Sequence, residues 1–200
     1  MTETTVARLP QPVHPRDETT PAPEDLEPLR RFLSLHDHEP GNPDAIEPDT
    51  GSLRWWFAAN GLVANEDTLS EKDLRWARKI RAALVAKVRE TMGAPPDARA
   101  IEVLNRAALR TELRLCFGGR DDRPIRVDAD GVAGALGTLL AAAFLAELDG
   151  RWERFRICGD PGCASVFYDR SRNRSGKWCS MATCGNRAKV RAFRERSAAG

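Results

Sequence analysis

The sequence predicts an α+β fold that is mostly α, with a helical N-terminal domain, one small β-hairpin and a compact C-terminal module. Apolar residues recur at helical spacing through much of the segment 26–150, which indicates amphipathic helices. Polar and apolar residues alternate over 111–117, as they do in a half-buried strand. Four of the five cysteines fall in the last fifty residues, and so small a module needs crosslinking to hold its fold.

The N-terminal tail, residues 1–25, is predicted to be disordered. Nine of the thirteen prolines precede residue 50, and they interrupt every potential helix of the tail. The chain starts without an apolar signal region, and no apolar run is expected to approach the length of a membrane span. These features predict a cytoplasmic protein with no membrane partner, in which thiols stay reduced.

Four helices are predicted in the first half of the chain. The first runs from about Asp25 to Leu35, and the second ends before Gly61. The third starts at Ser70, where a capping box with Asp73 is expected, and Asp97 caps the fourth. The residues expected to face the core from these helices are Leu26, Leu29, Phe32, Leu33, Leu53, Trp56, Phe57, Leu74, Ala77, Ile80, Leu84, Val88, Ile101, Leu104 and Ala108.

A hairpin and a fifth helix complete the predicted helical domain, residues 26–150. Residues 111–117 form a strand, and a glycine-rich turn leads to the returning strand 125–127. Cys116 is expected to be a buried residue of the first strand. The helix from Val132 to Leu148 contains Gly134 and Gly137, each of which is expected to weaken it by about 1 kcal/mol relative to alanine.

The other four cysteines form two pairs, Cys158 with Cys163 and Cys179 with Cys184, each separated by four residues. Such pairs offer the four soft ligands that one Zn²⁺ ion takes in a closed, tetrahedral structural site. Two structural disulfides are the alternative interpretation. With a knuckle, a short hairpin and a helix that carries the last ligands, residues 151–200 are predicted to be a treble-clef-like zinc finger.

Residues 152–157 are predicted to be a strand that leads directly from the helical domain into the finger, so the two should pack together. Residues 166–168 are expected to pair with 177–178 as a hairpin, with Gly176 able to take a positive φ in its turn. The closing helix is expected from Ala182 to Arg196. A small core beside the metal is expected from Phe167, Tyr168, Trp178 and Phe193.

The string from Cys158 to Lys189 resembles the CGNR zinc finger, which is named for the tetrapeptide at 184–187. Proteins with this finger are bacterial and resemble stress-induced transcription regulators, with a helical ABATE-type domain before the finger. The resemblance implies zinc binding by the four cysteines and a DNA-binding role. The first sixty residues lack the apolar, strand-like opening followed by Asn-Thr that the family usually has.

Charge is distributed unevenly along the chain. Residues 151–200 contain twelve Lys and Arg against four Asp and Glu, a net charge of +8, whereas residues 1–150 carry −6. A basic module on an acidic body favours a partner that carries phosphates, and a merely solvated surface is the alternative. The residues expected to contact nucleic acid are Arg170, Arg172, Arg174, Lys177, Arg191 and Arg194.

Two residues of the tetrapeptide, Asn186 and Arg187, are expected to support the metal site instead. Arg187 is expected to pair with Asp169, and Asn186 is expected to bond either a zinc-bound sulfur or a loop carbonyl.

DNA is therefore the predicted partner, with a helical domain that senses a small-molecule effector or forms a homodimer. The alternative is a zinc-stabilised module that binds a protein or RNA, without DNA specificity. An enzyme is not predicted, because histidine occurs only at positions 14, 36 and 38. The body therefore lacks the commonest general base, and four thiolates leave no open position on the metal.

Overall fold

The computed structural model of the chain describes residues 20–35, 49–63, 68–117 and 124–198. These residues form six α-helices and two antiparallel two-stranded hairpins. The helices are α1 (Glu27–Leu33), α2 (Thr50–Ala59), α3 (Glu71–Glu90), α4 (Ala98–Arg110), α5 (Gly131–Leu148) and α6 (Asn186–Ala198). The strands are β1 (Leu113–Leu115), β2 (Ile125–Val127), β3 (Phe155–Ile157) and β4 (Val166–Tyr168). The predicted fold class is confirmed, whereas the predictions for residues 1–19 and for the three histidines lie outside the described residues.

Side-chain caps set the starts of three helices in the helical domain (the body). Ser70 and Asp73 form the predicted capping box of α3, with Ser70 N donating to Asp73 Oδ2 at 3.1 Å and Asp73 N donating to Ser70 Oγ at 3.3 Å. Asp97 caps α4 as predicted, and Asp49 caps α2 in the same way, by accepting backbone N–H groups of the first turn. Each cap satisfies donors that a helix start would otherwise leave unpaired.

One apolar core joins α1, α2, α3 and α5. The side chains with the least exposure in it include Phe32, Phe57, Leu29, Ile80 and Leu136. Ala22, ahead of α1, is also buried, and its N–H donates to Glu27 Oε2 at 2.7 Å. Residues 20–25 therefore belong to the helical domain, and the predicted end of the disordered tail at residue 25 was wrong.

The fourth helix turns a different face to the core from the one predicted. Ala100 and Ala107 are buried, whereas Ile101 is 40% exposed and both Leu104 and Ala108 are half-buried. Because its buried positions hold small alanines, α4 can lie close against α3, which it contacts extensively. The larger side chains border an open cavity between α4 and α5.

The first hairpin pairs Leu113 opposite Val127. Its first strand is shorter than predicted, because Glu112 takes a left-handed φ of 51° immediately before it. Cys116 follows the strand and is half-buried. The prediction that Cys116 is a buried strand residue was therefore wrong.

The second hairpin connects the body to the finger. Strand β4 pairs with β3, with Phe155 opposite Tyr168, and the predicted pairing of 166–168 with 177–178 was wrong. The cysteine knuckle is itself the connection between the two strands. Phe155, Val166 and Tyr168 are buried in the core of the body, so Tyr168 does not belong to the small core predicted beside the metal.

Helix α5 is long and apolar enough to cross a membrane by length and composition, and half of it is buried inside the protein. The expectation that no apolar run approaches the length of a membrane span was wrong for this helix. Ala135, Leu136 and Leu139 are at most 1% exposed. Because α5 also contacts α1, α4 and β2, it is a central helix of the core.

Candidate metal centre and the closing helix

The connection between β3 and β4 positions the first two cysteines. Cys163 N donates to Asp160 O at 2.9 Å and closes the turn that follows Cys158. Gly159 N donates to Lys177 O at 2.8 Å, which brings the segment that precedes the second cysteine pair alongside the knuckle.

A single π-helical turn, Met181–Gly185, positions the second pair and continues into α6. Gly185, in this turn, lies close to the side chains of Met181 and Trp178. A Cβ at this position would lie 2.8 Å from Met181 Sδ and 3.3 Å from Trp178 Cδ1. The end of the exposed Met181 side chain can move aside, so the ring of Trp178 is the tighter limit on a side chain at this position.

The sulfur atoms of Cys158, Cys163, Cys179 and Cys184 lie within 4.8 Å of one another, and all four residues are buried. The Sγ atom of Cys179 is 3.6 Å from those of Cys163 and Cys184. A tetrahedron with metal–sulfur bonds of about 2.3 Å has edges of about 3.8 Å, so the spacing fits zinc. None of the four forms a disulfide. The four cysteines hold one structural zinc ion, as predicted.

Because the four thiols lie close together, their pKa values are shifted in opposite directions. Hydrogen bonds with Cys158 and then Cys179 hold the pKa of Cys163 well below its usual range. Hydrogen bonds with Cys158 and Cys163 raise the pKa of Cys179. A divalent cation removes this conflict, because it binds all four groups as thiolates and displaces their protons.

A buried carboxylate and two arginines join α6 to the knuckle. Asp160, 3% exposed, accepts a hydrogen bond from Arg191 Nη2 at 3.1 Å. Arg187 Nη2 lies 2.6 Å from Asp160 Oδ2, as an ion pair without hydrogen-bond geometry, and donates to Cys184 Sγ at 3.1 Å. Burial would raise the pKa of Asp160, but the hydrogen bond from Arg191 and the charge of Arg187 hold it below its usual range. Arg187 thus connects a metal ligand to the carboxylate of the knuckle.

Asp160 was not among the predicted site residues, and the predicted pair between Arg187 and Asp169 was wrong. The two arginines reach Asp160 because they lie four residues apart on one face of α6. The only signal in the sequence is that Asp160 is the sole acidic residue between the first two cysteines.

Asp169, which is also buried, organises the basic loop after β4. Its carboxylate accepts hydrogen bonds from Ser171 N at 2.8 Å and Gly176 N at 2.7 Å. A Cβ on Gly176 would lie 2.9 Å from this carboxylate, so the glycine is needed for close approach. Gly176 was expected to use a positive φ in the turn, but Arg174 is the residue that does so, with φ 50°.

Two family models match the chain. The CGNR zinc finger model matches residues 154–197, and the ABATE model, whose description is "Putative stress-induced transcription regulator", matches residues 37–150. The ABATE match alone covers more than half of the chain. The chain belongs to the ABATE family. A comparison with curated proteins finds no match. At the family level, the protein is a zinc-binding regulator.

In this ABATE protein, Asn186 of the CGNR tetrapeptide contacts backbone and not sulfur. Its Nδ2 donates to Ala182 O at 3.0 Å, which is a carbonyl of the π-helical turn and not of a loop. The bond lies across the junction between the π-helical turn and α6. Asn186 therefore helps to fix the direction in which α6 leaves the metal site.

The basic loop places its cations at the surface. Arg170, Arg172 and Lys177 are exposed and have no ion-pair partner in the part of the chain that the structure describes. Arg174 is also exposed, but its guanidinium pairs with Glu153. Three cations of this loop therefore have no carboxylate among the described residues that neutralises them.

Helix α6 extends from the finger with none of its residues buried. It packs chiefly on the turn 181–185. Val190 is 49% exposed and Phe193 is 63% exposed, so the predictions that both face inward and that Phe193 joins a core beside the metal were wrong. Phe167 and Trp178 surround the cysteines instead.

Proposed function

We propose that this protein is a DNA-binding transcription regulator whose CGNR finger contacts nucleic-acid phosphates. The observation that supports this most strongly is α6, which has 13 residues, none of them buried. It carries five cationic side chains and one acidic side chain. A helix of this length spans about 20 Å, and its diameter suits the major groove of DNA.

The cations of the finger fall into two groups with different roles. Arg191 and Arg187 are about half exposed, but each shares the charge of Asp160, so they orient α6 more than they attract phosphate. Arg194 has no ion-pair partner among the described residues. With Arg170, Arg172 and Lys177 of the basic loop, it is free to form charge-assisted hydrogen bonds with phosphate oxygens. Arg174, paired with Glu153, contributes less.

A protein partner is the second candidate, and the exposed Val190 and Phe193 favour it. Phosphate contacts do not need an exposed phenyl ring, whereas a protein groove would bury it. RNA is a third partner that the basic loop would suit. The helical domain is proposed to supply the regulatory input.

We propose further that the protein is cytoplasmic, has no membrane partner and is not an enzyme. Both matching families are described as a regulator or a zinc finger, and a metal with four thiolate ligands has no open position for substrate. The most buried residues of the apolar helix α5 lie in the core of the body, which supports the proposal that the protein has no membrane partner.

Binding to duplex DNA, measured by fluorescence anisotropy at several salt concentrations, tests the proposal. The wild type should show a steep linear fall of log affinity with log salt. Arg172→Ala combined with Arg194→Ala should reduce that slope by about two, one for each lost phosphate contact. The control is Lys72→Ala combined with Lys79→Ala, which removes the same charge from exposed positions of α3 and should leave the slope unchanged.

Absence of DNA binding even at low salt would overturn the proposal. Equal competition by single-stranded RNA would favour RNA as the partner. Nuclease-resistant capture of a protein, without binding to free DNA, would favour the protein-interaction alternative.

A further inference from the structure

The helical domain leaves an apolar surface uncovered on α4, β1 and α5, which we call the α4–α5 face. Its exposed side chains are those of Ile101 and Leu109 on α4, Leu115 on β1, and Phe144 and Leu148 on α5. They are half of the ten large apolar side chains that are exposed in the described residues. So much exposed apolar surface on neighbouring elements marks a contact site.

The two helices form the centre of this face. Ile101 and Phe144 both line the open cavity between α4 and α5. Leu148 lies one helical turn beyond Phe144 and therefore on the same side of α5. In the same way, Leu109 lies one turn beyond Asn105, which also lines the cavity from α4. The exposed side chains of the two helices therefore belong to one continuous surface.

Strand β1 extends the face. Alternate residues of a strand point to the same side, so Leu115 points with Leu113, which lines the cavity. Arg114, between them, points to the other side and pairs with Asp128 at 2.9 Å. Phe117 follows the strand two residues after Leu115 and is 93% exposed. The first hairpin thus adds apolar side chains at the edge of the α4–α5 face.

The size of the face indicates what can cover it. Leu109, Leu115 and Leu148 are between 69% and 82% exposed. With the exposed parts of Ile101 and Phe144 they present about 600 Å² of apolar surface, the upper end of what a monomer exposes in one patch. A homodimer interface of ordinary size buries about 800 Å² on each partner, of which about two thirds is apolar. The face therefore has the apolar area that one stable dimer interface needs.

Two ion pairs border the face, and their balanced charge suits a second copy of the chain. Lys87 pairs with Glu147 at 3.0 Å, and Arg106 pairs with Glu102 at 2.5 Å. A twofold axis brings a surface against itself, so an unbalanced charge there would repel its own copy. The finger, with a net charge of +8 over residues 151–200, is unsuited to such a contact. The α4–α5 face is suited to it.

We infer that the α4–α5 face is the interface of a homodimer with twofold symmetry. The contact buries the exposed leucines and phenylalanines against those of the second copy, and removal of this apolar area from water drives the association. No residue of α6 lines the cavity at the centre of the face. The inference concerns the body alone and is independent of nucleic-acid binding.

Sedimentation equilibrium of the full, zinc-loaded chain without DNA tests the inference. Over roughly 0.1 to 100 µM, a range that suits an interface of this size, the mass should rise from that of one chain towards that of two. Because the contact is apolar, the dissociation constant should change less than about twofold when salt is raised from about 0.1 M to about 0.5 M.

Two double variants locate the interface. Leu109→Glu combined with Leu115→Glu should weaken dimerisation at least about tenfold, because each carboxylate would lose its hydration in an apolar contact. Both side chains are exposed in the single chain, so the fold of the protomer should tolerate the change. The matched control is Val190→Glu combined with Phe193→Glu, which adds the same charge at exposed apolar positions of α6 and should leave the dissociation constant unchanged.

A wild-type chain that stays monomeric at the highest concentration would overturn the inference, and this result does not depend on any variant folding. A dimer that the substitutions at Leu109 and Leu115 leave intact would overturn it as well. A dimer weakened by the α6 control would place the interface on the finger. A dimer dissociated by salt would place it between the basic finger and the acidic body, and either result contradicts the inference.

Discussion

Arg187 is the residue through which the zinc site is coupled to the surface of the finger. It donates to Cys184 Sγ and is paired with the buried Asp160. A donor to a zinc-bound thiolate fixes its orientation and moderates its charge. The same side chain remains 47% exposed, so it belongs both to the metal site and to the basic face of α6.

Replacing Arg187 by leucine should weaken zinc binding about 10- to 100-fold, because a residue that supports a metal ligand is lost. Competition with a chelator of known affinity measures this change. The matched control is Arg194→Leu, which removes an arginine from the same helix that has no ion pair among the described residues. Equal zinc affinities in the two variants would show that the contacts of Arg187 do not support the metal.

Residues whose roles depend on spacing alone were predictable. The two cysteine pairs predicted the metal site, because metal ligands recur at characteristic separations along the chain. The partner of Arg187 was not predictable in this way. Asp160 and Arg187 are 27 positions apart in the sequence, and only the zinc-bound fold brings the knuckle against the first turn of α6.

Gly137 of α5 lies very close to the first hairpin. A Cβ on Gly137 would lie 2.6 Å from Val127 Cγ1 and 2.9 Å from Thr111 Cβ. Neither atom is the far end of a flexible chain, and Thr111 is fully buried. The glycine that was expected only to weaken α5 therefore lets that helix contact the first hairpin.

Gly137→Ala should destabilise the protein by about 1–3 kcal/mol, because the cost of overpacking exceeds the helix propensity that alanine gains. Gly51→Ala in α2 is the matched control. Its Cβ would meet nothing closer than 3.4 Å, so it should be neutral or stabilise by up to about 1 kcal/mol. Chemical denaturation measures both. Stabilisation by Gly137→Ala would contradict the close approach of α5 to the hairpin.

Elements with strong local signals were predicted well, and elements that depend on distant partners were not. Ser70 and Asp97 specify helix starts through bonds to neighbouring residues, so the starts of α3 and α4 were predictable. The partner of β4 was not, because a three-residue strand can pair with either neighbour and tertiary packing decides. For the same reason, the apolar pattern of α4 identified a helix but not which of its faces the core would cover.

Of the two apolar clusters in the described residues, the larger spans the body and the β3–β4 hairpin. Thr91 Oγ1 donates to Phe155 O at 3.0 Å, and Ser34 Oγ donates to Val166 O at 2.7 Å. These bonds and the buried aromatic ring of Tyr168 attach the hairpin to α1 and α3. Zinc is therefore needed for the remainder of the finger, where the apolar core is small.

Cys179→Ser should reduce bound zinc below one ion per chain and unfold the region after the β3–β4 hairpin, because the closed site loses a ligand. Zinc analysis and trypsin digestion measure this, since cleavage should become fast within residues 170–196. Cys116→Ser is the control, because Cys116 lies outside the cluster and its loss should change neither result. Full zinc content in Cys179→Ser would be incompatible with the assigned ligands.

Zinc K-edge X-ray absorption on the reduced protein tests the assignment of four thiolate ligands most directly. A closed four-thiolate site should give a first shell of four sulfur atoms at about 2.3 Å, with no nitrogen or oxygen ligand. A first shell with fewer than four sulfurs, or one that contains nitrogen or oxygen, would contradict it.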